Sequence, residues 1–166
     1  MMKRTMSAAS LALRPMTAQE FQRYLKPAIR GYAQMHIRAG DVEPRQALRR
    51  AKADYAELLP KGLASPGHYL YSITFPENNK PIGIVWFELK HRQGKRKAFI
   101  FDFAIDKGQR GKGLGTKAMS AIEQQAKLLG AVAVDLHVFG HNVAARGLYE
   151  KCGYRYTGMH MTKDLN

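Results

Sequence analysis

The sequence predicts one α/β (α+β) domain built on a mixed sheet, with elements in the order β-α-α-β-β-β-α-β-α-β. Three observations predict it. Apolar residues recur at strand spacing in some blocks and at helical spacing in others, with little overlap. Strand-like runs in the middle of the chain flank short polar turns, which demands antiparallel neighbours. Later, one helix-length segment joins two strand-like runs, and such a crossover demands a parallel pair. At 166 residues and 45% hydrophobic composition, the chain (1–166) reads as a single domain with a sizeable core.

Ser10 to Met16 alternates well enough for a first strand. Thr17-Ala18-Gln19-Glu20 has capping-box spacing, with Thr17 as N-cap and Glu20 reaching back. Phe21, Leu25, Ala28 and Tyr32 follow at helical spacing, and Pro27 is expected to kink or divide that helix because it lacks a backbone donor. Pro44 suits the first position of a second helix, carried by Leu48, Ala51, Tyr55 and Leu58 and ended near Pro60-Lys61-Gly62. His68 to Phe75 and Pro81 to Lys90 are strands about the turn Glu77 to Lys80. Arg92 to Lys95 is a second turn, and Lys97 to Ile105 the next strand. Thr116 to Leu129 is helical, with Met119, Ile122, Ala126 and Leu129 on one face and Gly130 as its stop. Val132 to Phe139 reads as an apolar buried strand. Asn142 caps a last helix through Lys151, Gly153 ends it, and Tyr154 to Leu165 is the final strand.

Composition narrows the function. The longest apolar run, Ile82 to Phe87, is too short to cross a bilayer, so no membrane association is expected. Lys3 and Arg4 precede only the weakly apolar Ala8 to Leu13, so no secretory leader is expected. The single cysteine, Cys152, excludes an internal disulfide and fits a reducing compartment, which makes the cytoplasm the expected location. A net charge of +14 favours anionic ligands. Its cations gather at Lys90, Arg92, Lys95, Arg96 and Lys97, at Lys107, Arg110, Lys112 and Lys117, and apart from these at Arg45 to Lys52. A run of charge is most often a solvated face.

Gln109-Arg110-Gly111-Lys112-Gly113-Leu114-Gly115 lies between a strand and a helix. Glycines at alternate positions permit a tight turn and close approach of a ligand. The amides that open the following helix lack partners, and with the helix dipole, Arg110 and Lys112 they describe a phosphate or pyrophosphate site. A Walker A loop is excluded, because counting from Gly108 the glycine at Gly113 is followed by Leu114 instead of lysine. A dinucleotide fingerprint is excluded because Thr116 stands where its third glycine belongs.

Two stretches resemble the GNAT family of N-acetyltransferases. Arg110 to Gly115 is similar to that family's acetyl-CoA pyrophosphate loop. Leu136 to Asn142, followed by Ala145, Leu148-Tyr149-Glu150-Lys151 and Gly153-Tyr154, is similar to its second motif. The resemblance runs from about Lys97 to Tyr154. It implies an acetyl-CoA-binding half over 97–165 and an acceptor-side half over 10–90, with a parallel strand pair that splays open. It also implies that backbone of Phe103, Ala104 and Ile105 pairs with the pantetheine arm. Main-chain groups from Gly111 to Gly115, flanked by Arg110, Lys112, Leu114 and Thr116, would hold the pyrophosphate, and Asn142 would bond to pantetheine besides capping its helix. Tyr149 would protonate the departing CoA thiolate, a reasonable transfer from a phenol near ~10 to a thiol near ~8.5.

The general base stays open at this point. His137 stands where the family's ribosomal-protein N-terminal acetyltransferases have a glutamate, and imidazole titrates near neutrality; its other reading is a hydrogen-bonded strand histidine. Asp102, between Phe101 and Phe103 in a core strand, is the next candidate, because a buried carboxylate needs a role or a partner. Glu88 and His141 follow. Cys152, at a helix C-terminus, gains nothing from the dipole and is expected to pack. The implied reaction is direct transfer of acetyl from acetyl-CoA to a primary amine in a ternary complex, with no metal. A CoA-binding sensor or scaffold without catalysis is one alternative, and a nucleic-acid or ribosome-associated protein, motivated by charge alone, is another. Acceptor identity and oligomeric state, a dimer included, stay open.

Overall fold

A computed structural model of the protein describes residues 10–165. Its elements are β1 (Ala12–Pro15), α1 (Ala18–Ala39), α2 (Pro44–Leu58), β2 (His68–Thr74), β3 (Pro81–Arg92), β4 (Lys95–Ile105), α3 (Leu114–Leu128), β5 (Ala133–Leu136) and α4 (Val143–Lys151). The strands form one sheet in the order β1-β2-β3-β4-β5, antiparallel up to β4 and parallel between β4 and β5. This is the mixed sheet that the residue pattern predicts. The start of the chain, including the segment considered as a leader, lies outside the described residues.

Each face of the sheet buries its own cluster. On one, Phe21 of α1 and Tyr55 and Leu59 of the α2 region pack on Met16, Leu70 and Trp86. On the other, Met119, Ile122 and Ala126 of α3 pack on Tyr71, Val85, Phe87, Ala98 and Ile100, and Leu148 and Tyr149 of α4 join them. Trp86, Phe87, Met119 and Ile122 are essentially inaccessible to solvent, and burial of side chains this large stabilises by about 1.5–3 kcal/mol each.

Local chemistry explains where elements begin and turn. Thr17 Oγ1 accepts from the Glu20 amide at 3.2 Å while Glu20 Oε2 accepts from the Thr17 amide at 2.8 Å, completing the expected capping box. Arg14 adds a fork to the same carboxylate, at 2.6 and 3.1 Å, tying β1 to α1. The β3–β4 hairpin turns through Gln93 and Gly94, both at positive φ (53° and 72°), the two-residue geometry that matches strand twist.

Between β3 and β4 the register slips. Trp86 faces Asp102, but Phe87 faces Ile100, so Phe101 has no partner on β3. A residue inserted into one strand in this way is a β-bulge, and it reverses the facing of everything after it. Before the bulge, odd-numbered residues of β4 face α1 and α2; after it, Asp102 and Ala104 do.

Three expectations are overturned. Tyr154 to Leu165 forms no strand among the described residues. Its beginning folds back on α4, where the Tyr156 hydroxyl donates to Glu150 Oε1 at 2.6 Å and accepts from Arg146 Nε at 3.0 Å. Beyond it Met159, Met161 and Leu165 are exposed, so their alternation has nothing to bury against. The buried strand over Val132 to Phe139 shrinks to Ala133–Leu136, with Val132 exposed, because β5 leaves β4 after Leu136. Finally, α1 is one uninterrupted helix through Pro27. Both Pro27 and Arg23, whose carbonyl the proline leaves unpaired, are exposed, so water can satisfy that group.

The Arg14 fork, more than the backbone contacts, holds the Glu20 carboxyl down at about 2. A carboxyl depressed on folding stabilises above its ordinary range, near ~4.3, and that contribution disappears as pH falls through the folded value. Glu20→Gln is therefore expected to cost roughly 1 kcal/mol at pH 7, and the gap to wild type should shrink toward pH 2. Urea unfolding at the two pH values measures it; an equal gap at both would refute the assignment.

Candidate active site

The chain leaves β4 at Ile105 and is at once tied back, since the Arg110 Nε–H donates to the Ile105 carbonyl at 2.8 Å. Gly111 and Gly113 both take left-handed backbone, φ 73° and 72°, and a Cβ at either would meet nothing within 4 Å. Conformation, and not crowding, is what demands glycine there. Gly113 is the N-cap of α3, and no side chain caps that end. The amides of Leu114, Gly115 and Thr116 thus open the helix without side-chain partners, an arrangement that attracts anions. Lys112 Nζ bonds to the Gly108 carbonyl and Gln109 Oε1, both at 3.1 Å, and braces the loop.

The same loop sits at the end of an open strand edge. Ladder pairing of β4 with β5 stops at Ile100 and Leu136, whereas pairing with β3 continues to Ile105 and Gly83. The β5-side backbone from Phe101 to Ile105, which includes Phe103 and Ala104, has no strand partner among the described residues. An extended arm bearing amides can complete such an edge. An elongated ligand with a diphosphate at one end therefore fits both features together. Asn142 caps α4 through Oδ1, which accepts from the Ala145 amide at 3.2 Å.

Asp102 lies where the edge begins. The bulge turns it toward α1, and Tyr24 donates its hydroxyl to Asp102 Oδ2 at 2.8 Å. Burial raises the Asp102 pKa, while the Tyr24 bond and the Phe103 amide partly oppose the rise. Tyr149 is half-buried, its ring 5.7 Å from that of Tyr154. Burial first, then the Asp102 charge and Cys152, push its phenol up to about 12, so it holds its proton at neutral pH. Asp102 and Tyr149 are thus within electrostatic reach of one another. His137 is exposed and lies past the end of β5, its ring edge-on to Phe139 at 5.1 Å. The strand setting expected for it is not found. Burial raises the Cys152 thiol, in keeping with packing.

Residues that sequence reasoning did not single out complete the site. Tyr24 sits on the apolar stripe of α1 and carries no sequence mark of its bond to Asp102. Trp86 donates its indole N–H to His68 Nδ1 at 3.0 Å, which puts the His68 proton on Nε2, 3.8 Å from Glu88 Oε1. Burial lowers the His68 pKa, so the ring is neutral. His36 stands edge-on to Tyr32 and to Phe139, linking α1 to the segment that follows β5. The Arg45, Arg49, Arg50 and Lys52 group is on the exposed side of α2, as a solvated face requires. Among the described residues no cluster of three or more His, Cys, Asp or Glu is placed to hold a metal, and no helix is long and apolar enough to cross a membrane.

Comparison with known proteins bears on this arrangement. Residues 29–154 match the Acetyltransferase (GNAT) family. The uncharacterized N-acetyltransferase YycN of Bacillus subtilis (strain 168) is 36% identical over 156 residues, 94% of this chain and 99% of that protein. The uncharacterized N-acetyltransferase YdgE of the same organism is 31% identical over equal shares. The crystal structure of YycN superimposes with a TM-score of 0.89, covering 95% of this chain and 99% of that one. The bulged β4, the strand edge it leaves open and the uncapped α3 behind a glycine loop are thus parts of an acetyltransferase fold, and the chain belongs to the GNAT acetyltransferase family.

Proposed function

We propose that the protein moves an acetyl group from acetyl-CoA to a primary amine, donor and acceptor bound together. The observation that carries this reading is a continuous one. The uncapped amides of α3 behind Gly111 and Gly113 lead into the open edge of β4, and that edge begins at Asp102 within electrostatic reach of Tyr149.

The amides from Gly111 to Thr116 hold the diphosphate, with Arg110 and Lys112 fixing the loop and Leu114 anchoring it in the core. Backbone of Phe103, Ala104 and Ile105 aligns the amide arm, and Asn142 contacts it from the α4 side. Acetyl-CoA so bound supplies a thioester whose carbon–sulfur bond breaks as the carbon–nitrogen bond to the amine forms. Asp102 accepts the proton that the amine sheds, since its raised pKa makes it a stronger base than an ordinary carboxylate. Tyr24 holds that carboxylate in place. Tyr149 gives its Oη proton to the departing sulfur. His137, exposed past the end of β5, is assigned no step.

Tyr149→Phe is expected to lower kcat by about 10²-fold, the loss typical of a removed general acid, with acetyl-CoA binding retained by calorimetry; wild-type turnover in a thiol-release assay would sink the assigned acid. Asp102→Asn keeps an acceptor for Tyr24 but removes a buried charge. It should lose roughly 10²-fold or more in kcat/KM while its melting temperature stays level or rises. An active variant would exclude Asp102 as base. Tyr24→Phe deletes a bond that favours the carboxylate form, so the acid limb of the pH–kcat/KM profile should move to higher pH. An unmoved limb would show that Asp102 does not control it.

A further inference from the structure

We infer that the acceptor is a small primary amine that also carries an anionic group, a carboxylate or a phosphate, and that Lys90 and Lys97 receive this group. The inference rests on the acetyl-transfer reading, because it places the acceptor opposite the donor.

Topology restricts where an acceptor can lie. The donor runs from the glycine loop along the edge between Ile105 and Phe101, so that stretch is taken. The remaining approach to Asp102 is from the other side of the point where β4 and β5 part. An open cleft of about 570 Å³ lies there, lined by Glu88, Lys90, Arg92, Lys97, Phe99 and Asp135. Phe99 and Asp135 are cross-strand partners one position before the parting. The bulge puts Lys97, Phe99 and Asp102 on one face of β4, and their partners Lys90, Glu88 and Trp86 lie on the same face of β3. Cleft and carboxylate therefore lie on the same face of the sheet, with Phe101 between them. The floor between them is aromatic, with Lys90 Nζ lying 5.6 Å from the Phe99 ring centroid and 5.3 Å from that of Phe101.

Charge selects the class of ligand. Both lining carboxylates already have a lysine, Glu88 Oε2 to Lys90 Nζ at 3.0 Å and Asp135 Oδ2 to Lys97 Nζ at 3.3 Å. Arg92 then leaves cations in excess, and Lys95, on the same face of the hairpin, increases that excess. A bare ammonium or a polyamine meets net repulsion here. An amine with an anionic group does not, provided a lysine is free to turn to it. Lys90 has that freedom. Among the described residues its ammonium is held by no carboxylate other than that of Glu88, through Oε2, and by no hydrogen bond to backbone. The Lys90 side chain is also 44% exposed, and ion pairs this exposed contribute little and exchange readily. Glu88 does not follow the lysine, because His68 Nε2–H stands behind its other oxygen. Once the anion has engaged Lys90 or Lys97, Glu88 and Asp135 are released to face the acceptor's ammonium on its way to Asp102.

The test is a ligand-observed NMR titration at low salt, on protein loaded with CoA. Its probes are O-phosphoethanolamine against ethanolamine and β-alanine against β-alaninamide, with spermidine as a polycation. The anionic member of at least one pair should bind about tenfold or more tightly than its neutral partner, as expected for one charge-assisted contact. Which pair responds separates phosphate from carboxylate. In the variant combining Lys90→Gln with Lys97→Gln the preference should fall below about threefold, and Lys90→Arg should restore most of it. Equal binding within both pairs, tighter binding of spermidine, or a preference that survives the double variant would overturn the inference. Acetyl-CoA titrated separately into the free protein tests the donor reading, so failure of that reading is seen independently. Thermal melts of each variant confirm that it is folded.

Discussion

Successive side chains in a strand point to opposite faces, so one unpaired residue exchanges the two faces for everything that follows it. In β4 that residue is Phe101. Upstream of it, Ala98 and Ile100 seal the core beneath α3. Downstream, Phe103 and Ile105 take over the same task from the other parity, and Asp102 is delivered beneath α1 in place of an apolar residue. Phe101 itself fills the space it creates, stacked on Trp86 with ring centroids 4.6 Å apart. Without the slip, Asp102 would be driven into the α3 core. The parting of β4 from β5 falls at the same place, directly after Ile100 and Leu136. Core packing, the buried carboxylate and the open edge thus all depend on one register.

The two sides of this point offer different chemistry. Toward the loop the surface is mostly backbone, amides of a strand edge and then of a helix start, which suits a long ligand of fixed composition. On the hairpin side it is mostly side chains, phenyl rings and opposed charges. Between them lie Asp102 and Tyr149. A buried carboxylate is costly unless it is bonded, and Tyr24 offsets that cost from α1 without neutralising the charge. α1 therefore holds the Asp102 carboxylate as well as covering the sheet.

How legible these features were depends on how far apart their partners are in sequence. The Thr17–Glu20 box, the glycine loop and the Asn142 cap are each made within a few residues, and each stands where its local pattern puts it. The bulge could not be read, because it exists only as a mismatch between β3 and β4, and either strand alone alternates normally. Tyr24 reaches Asp102 across 78 positions, and along α1 it is indistinguishable from a packing residue. His68 and Trp86 are likewise joined only by the pairing of β2 with β3. The last segment misled for the opposite reason: Met159 and Met161 have strand periodicity, but periodicity states which face would be buried and not whether anything is there to bury it. Pro27 obeyed the rule that it removes a donor; its exposed position made the consequence small.

Gly115, the last glycine of the loop, is the one that lies inside α3. A Cβ there would come within 3.2–3.3 Å of the Leu148 side chain of α4, and Leu148 is the neighbour of Tyr149. The glycine loop thus also touches the packing between two helices. Any residue bulkier than hydrogen at this position would act as a wedge beneath the helix that carries both Asn142 and the phenol. A substitution in the loop would then express itself as a displaced Tyr149 even where the loop's amides remained intact.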